Sequence, residues 1–134
     1  MNRTHLEGAA EKLTAQRGYT FYTGPEDDMG HTVRNYPAAW LAPPELHAVE
    51  GRTHGRATYD MTLHLLRPGA RISPAERRTA LAEVEAQMIE IFAELSLDER
   101  ILAVEGLSVR PRSFSLTPHG EISQTATARI VTWF

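Results

Sequence analysis

From Gly51 to Gly69 the chain reads GRTHGRATYDMTLHLLRPG. Its middle alternates: Ala57, Tyr59, Met61, Leu63 and Leu65 point one way, Thr58, Asp60, Thr62, His64 and Leu66 the other. A period of two marks a half-buried strand. About fourteen extended residues at about 3.3 Å each span roughly 45 Å, well beyond the usual strand of about five or six. Ile122 to Phe134 alternates in the same way, with Ala126, Ala128, Ile130 and Thr132 against Thr127, Arg129, Val131 and Trp133. The chain stops on this aromatic strand end, which predicts a C-terminus paired into the sheet. Between the two runs the period changes. Leu81, Val84, Met88, Ile91 and Leu95 recur at alternating steps of three and four, Ile89 and Phe92 widen the stripe, and Glu83, Glu85, Glu90 and Glu94 lie opposite. That is an amphipathic helix able to lie on a sheet. Ser73 as N-cap, Pro74 at the first position and Glu76 closing an S-x-x-E capping box start it, so the pattern predicts a helix over 74–96.

Shorter elements fill the rest. Thr4 and Glu7 form a T-x-x-E box, Leu6, Ala9, Ala10 and Leu13 share one face, and Gly18 follows, which predicts a helix over 4–17. Tyr19 to Thr23 is aromatic and β-branched, a short strand. Gly24 to Asn35 has no period and reads as a loop or mobile arm. Residues 37–42 predict a strand stopped by Pro43-Pro44, and Leu46 to Glu50 begins a hairpin with the long strand. Ile101 to Val109 predicts a strand broken at Gly106, with Arg110-Pro111-Arg112 interrupting its pairing. Phe114 and Leu116 suggest another strand, and Thr117 to Gly120 a turn. Helices and strands are clustered rather than strictly alternating. The fold class is therefore α+β: one domain, 1–134, with a mostly antiparallel, possibly mixed, sheet and a long hairpin.

Composition changes this picture little. The chain has 134 residues, is 42% hydrophobic and 23% charged, and carries a net charge of −3. One ordinary globular domain fits those values. The charge gives no basic excess that would make nucleic acid the main partner. There is no cysteine, which excludes disulfides, thiolate metal sites and a cysteine nucleophile. No segment has the apolar length of a signal peptide or a membrane span, so a cytoplasmic protein, or one built into a particle, is expected.

The candidate chemistry is sparse. His5, His31, His47, His54, His64 and His119 show no HxH, HxxH or HExxH spacing and read as scattered surface residues, with no metal expected. Glu26-Asp27-Asp28 lacks the spaced pattern of a calcium loop and reads as solvated. Arg110 and Arg112, flanking Pro111, offer a phosphate or carboxylate contact against the plainer reading of a solvated turn. Trp40, Tyr36, Trp133 and Phe134 lie at element edges or the chain end, where aromatics serve either as interface anchors or as core. No nucleophile motif surrounds Ser73, and neither GxGxxG nor GxxxxGK[ST] occurs, so no cofactor is expected.

The order of elements resembles a known family. A capped N-terminal helix leads into strands and a loop, then a glycine-punctuated hairpin (GRATYDMTLHLL), a long helix opening SPAERR, and a terminal strand ATARIVTWF. This pattern resembles the tail-terminator, tail-completion and head-tail joining proteins of long-tailed phages and prophages. The resemblance implies a structural virion-assembly protein and not an enzyme. It implies a ring homo-oligomer, often a hexamer, that caps the tail tube and meets the tube protein and the head connector. DNA would pass through without sequence-specific binding. The protein would reside in the virion tail or neck, and in the bacterial cytoplasm during assembly. Surplus strand length would then serve contacts between subunits, and Glu26, Asp27 and Asp28 would line the channel or a tube-contacting arm. Two other classes compete. One is a small-molecule-binding or enzymatic domain with a pocket on the sheet face near Tyr59, Asp60 and His64. The other is an adaptor that binds a peptide at its sheet edge.

Overall fold

The computed structural model describes residues 1–69, 71–112 and 120–134. It contains helices α1 (Asn2–Ala15), α2 (Met29–Thr32) and α3 (Pro74–Leu95), and strands β1 (Thr20–Thr23), β2 (Ala38–Leu41), β3 (Glu45–Gly51), β4 (Gly55–Arg67), β5 (Ile101–Pro111) and β6 (Ile122–Trp133). The fold is α+β. The strand expected around Phe114 and Leu116, and the expected turn from Thr117 to His119, lie outside the described residues.

The sheet runs β1-β2-β4-β6-β5, with β3 also on β4. All pairs are antiparallel except β1 with β2. β2 and β3 are two halves of one broken strand. Leu41 pairs with Leu63, and Glu45 resumes the pairing at Asp60 on the same side of β4. The break falls at Pro43-Pro44, because proline has no N–H to give the ladder. β1 covers only the β2 half.

Twelve of the 13 residues of β4 pair with β6, from Arg56 opposite Trp133 to Arg67 opposite Ile122. The alternation survives as burial on one face: Met61, Leu63 and Leu65 meet Ala126, Ala128 and Ile130 under α1 and α3. α3 contributes Val84, Met88, Ile91, Phe92 and Leu95, and α1 contributes Leu6 and Ala10. A second cluster, Met29, Val33, Ala38, Trp40 and Leu66, sits on the opposite face.

The capping box at α3 is formed. Glu76 N–H donates to Ser73 Oγ at 3.1 Å, and Ser73 N–H reaches Glu76 Oε1 at 3.4 Å. Ser73→Ala should cost about 1 kcal/mol, read as a lower urea midpoint with an unchanged slope. A midpoint shift of zero would mean that the cap contributes nothing.

Several expectations need correction. α1 starts at Asn2, with Met1 as N-cap and no side-chain cap, so the Thr4–Glu7 box does not form. The earlier start lets Asn2 Nδ2 donate to Thr132 Oγ1 at 2.9 Å, tying the helix to the sheet end. Ile89 is 50% exposed and does not widen the α3 stripe, whereas Phe92 is buried. Arg110 and Pro111 do not interrupt pairing: they face Thr125 and Gln124 of β6. Pro111 is tolerated because β5 is an edge strand. The segment read as a loop holds a 3-10 turn (Glu26–Asp28) and α2, and buries Met29 and Val33. The expectation for the C-terminus holds: Phe134 and Gly55 exchange backbone hydrogen bonds of 3.0 and 3.1 Å.

Candidate functional site

Two sheet edges are open. β3 is covered on one side by β4, and β1 does not reach it. β5 pairs only with β6. Among the described residues no strand covers the outer side of either. Natural proteins blunt such edges with charge, proline, or a covering loop, because unpaired N–H and C=O groups recruit other strands. Both edges carry some of these devices, Glu45 and Glu50 on β3 and Glu105, Arg110 and Pro111 on β5, but large apolar side chains stand exposed between them. Leu46 and Val49 on β3 are 52% and 56% exposed, and Leu102 and Leu107 on β5 are 51% and 38% exposed. The pairing of Leu46 with Tyr59 and of Val49 with Ala57 puts both β3 residues on the helix-bearing face, beyond the helices' cover.

The β3–β4 hairpin is held tightly at its tip. Gly51 has φ +101°, and a Cβ on Gly55 would lie 1.9 Å from the Glu50 carbonyl oxygen. Only glycine meets both demands. The hairpin end is pinned further by Thr132 Oγ1, which donates to Ala57 O at 2.6 Å. The exposed apolar edge is therefore a fixed surface.

A buried polar relay lies on the opposite face. His64 is fully buried, with Nδ1 2.7 Å from Thr125 Oγ1 and Nε2 3.2 Å from Glu26 Oε1. Arg112 Nε–H donates to the same Thr125 oxygen at 3.0 Å. Thr125 Oγ1 can accept from Arg112 and still either donate to His64 Nδ1 or accept from it, so the direction of that bond follows the imidazole tautomer. The contact of Nε2 with Glu26 is too oblique for a well-formed hydrogen bond. Carboxylate, imidazole and hydroxyl stand in the order of a nucleophilic triad. The hydroxyl is buried, however, and engaged by Arg112. The relay fastens the Glu26 turn to the sheet.

Burial holds the His64 pKa below its usual 6.5, against the opposing pull of the Glu26 carboxylate. The folded state therefore binds less proton here than the unfolded chain. Stability from this residue is fully present above about pH 6.5 and is lost as pH falls through that value toward the folded pKa. His64→Gln should flatten the fall in melting temperature between about pH 7.5 and about pH 5.5. Equal slopes in wild type and variant would remove His64 as the cause.

The residues singled out in the sequence separate. Glu26 contacts His64, while Asp27 and Asp28 are exposed, so the three acids do not act as one cluster. Arg110 is exposed on the β5 edge, its Nε–H donating to Ser108 Oγ at 3.1 Å, and Arg112 turns inward to Thr125. Trp40 is buried, its Nε1–H donating to Gly24 O at 2.9 Å and its ring stacked on Tyr22, so it cannot anchor an interface. Trp133 stays 53% exposed, with Nε1–H donating to Glu99 O at 2.7 Å. His64 is no surface histidine, because Glu26 and the Met29–Val33 turn cover the polar-looking face of β4 at this end.

Tyr59, Asp60 and His64 do not converge on a pocket. Tyr59 packs on the helix side. Asp60 faces the other way and pairs with His47 at 3.3 Å and Arg129 at 3.4 Å. A groove of about 670 Å³ does open between α1 and the end of α3, lined by Ala9, Leu13 and Leu95 and by His5, whose Nε2 lies 2.8 Å from both Asp98 oxygens. Burial would raise the Asp98 pKa, but the Arg100 N–H and His5 outweigh it and hold it low. Among the described residues, no group of three or more metal-ligating side chains converges, and no helix is long and apolar enough to cross a membrane.

The fold and surface define a class: a mixed, mostly antiparallel sheet, helix-backed on one face and open along two edges. No protein-family model matches the chain, and no curated protein matches it. The open edges escaped the sequence reading. The available signal was four large apolar residues, Leu46, Val49, Leu102 and Leu107, in strands that bury little.

Proposed function

We propose that the chain is a self-assembling structural subunit of the tail-terminator type. Copies join into a ring that caps a phage tail tube and receives the head connector. The observation that carries this reading is the pair of sheet edges, β3 and β5, left open among the described residues with large apolar side chains exposed along both. A soluble domain that acted alone would aggregate through such edges unless another chain covered them. A head-to-tail contact between different edges closes into a ring when the rotation allows. The order of elements that resembles the tail-terminator family supports the same reading. In such a ring, exposed Asp27 and Asp28 facing the lumen would repel passing DNA.

Light scattering coupled to size exclusion tests this, with electron microscopy of the same fractions. The reading predicts one discrete assembly several times the 15.0 kDa chain, seen as rings with a central opening. A monomer at every concentration would contradict it.

A further inference from the structure

We infer that the ring contact is a continuous antiparallel sheet, β3 of one copy pairing with β5 of the next. The inference rests on the assembly reading above and specifies its interface.

Strand direction comes first. β3 is antiparallel to β4, β4 to β6, and β6 to β5. β5 therefore runs opposite to β3, and a neighbour set beside it in the same orientation continues the antiparallel order.

The irregularities also match. β3 carries one extra residue between Leu46 and Ala48, and β5 carries one between Glu105 and Ser108; a second β5 irregularity, between Ile101 and Ala103, lies toward the strand end, level with Gly51 at the end of β3 in the register below. In an antiparallel pairing with Leu46 opposite Leu107, His47 falls opposite Gly106, so the two bulges coincide. Gly106, at φ +62°, leaves open space where a Cβ would stand. Side-chain faces then agree on both sides of the bulge. Val49 and Val104, which pair within their own sheets with Ala57 and Ile130, both face the helix side. Ala48 and Glu105, which pair with Thr58 and Arg129, both face away from it. A shift by one residue would put the pairs flanking the bulge on mismatched faces. A shift by two would set the bulges out of step.

Charge selects the second copy's β5 over its β3. Two β3 strands paired antiparallel about their middle set Glu45 opposite Glu50, a like-charge pair that destabilises the sheet. Against β5 in the proposed register no two like charges stand directly opposite: Glu45 faces Ser108, diagonal to exposed Arg110, and Glu50 faces Ala103, diagonal to Glu105.

The chain has no cysteine, so single introduced thiols report the contact cleanly. Leu46→Cys and Leu107→Cys proteins are purified separately, mixed as full chains, and oxidised. The pairing predicts a disulfide-linked dimer in the mixture and monomers from either variant alone. A mixture of Val49→Cys with Leu107→Cys, out of register, should give less than a tenth of that product. If oligomers form but Leu46→Cys links only to itself, β3 meets a second β3, and this pairing is overturned while assembly stands. If oligomers form with no link in any mixture, the contact lies elsewhere and the pairing is again overturned. If wild type is monomeric by light scattering, the assembly reading itself fails.

Discussion

Replacing Leu46 and Val49 together by lysine should convert the assembled protein to monomer while leaving the fold unchanged. Both side chains are more than half exposed and outside the core clusters. The monomer therefore has little to lose. In the proposed assembly the two side chains would lie beside a neighbouring copy's strand. Withdrawing their apolar surface from that contact, and setting two ammonium groups beside it, should cost at least about 3 kcal/mol, roughly a hundredfold in Kd. Lysine on an edge strand is also a common device by which natural sheets refuse a partner. Light scattering should read monomer, and the monomer's melting temperature should fall by no more than about 2 °C. An assembly of unchanged size would show that the β3 edge is not the contact.

The second large effect is on stability. Phe92→Ala should cost about 3–5 kcal/mol, the range for removing a buried aromatic from a packed core. Phe92 is 1% exposed and lies with Met88, Ile91 and Leu95 in the layer between α3 and the sheet. Single domains hold only about 5–15 kcal/mol in total. The variant should therefore melt at least about 10 °C lower by calorimetry. Ile89→Ala, at a 50% exposed position of the same helix, should cost less than about 1 kcal/mol. Similar losses at the two positions would mean that α3 does not dock by the stripe described.

Much of the fold was legible because period and capping are local properties. The alternation from Ala57 to Leu65 predicts the helix-facing side of β4, and the Ser73–Glu76 box fixes the start of α3. What failed depended on distant partners. Thr4 and Glu7 have the right spacing for a cap, yet Asn2 reaching Thr132 sets the helix start. His64 and Trp40 look like surface and edge residues until the Glu26 turn and Met29 are laid over them. Arg110-Pro111 looks like a break, and is tolerated because β5 has no outer neighbour among the described residues. The candidate interaction surface was hidden for the same reason: exposure of Leu46 or Leu107 follows from β1 being too short to cover β3 and from β5 standing last in the sheet.

Amide hydrogen exchange across a dilution series tests the central claim most directly. If the sheet edges join copies, outward-facing amides of Glu45–Gly51 and Ile101–Pro111 should become protected as concentration rises, while β6 stays protected throughout. Exchange at both edges that is fast and independent of concentration would contradict the account.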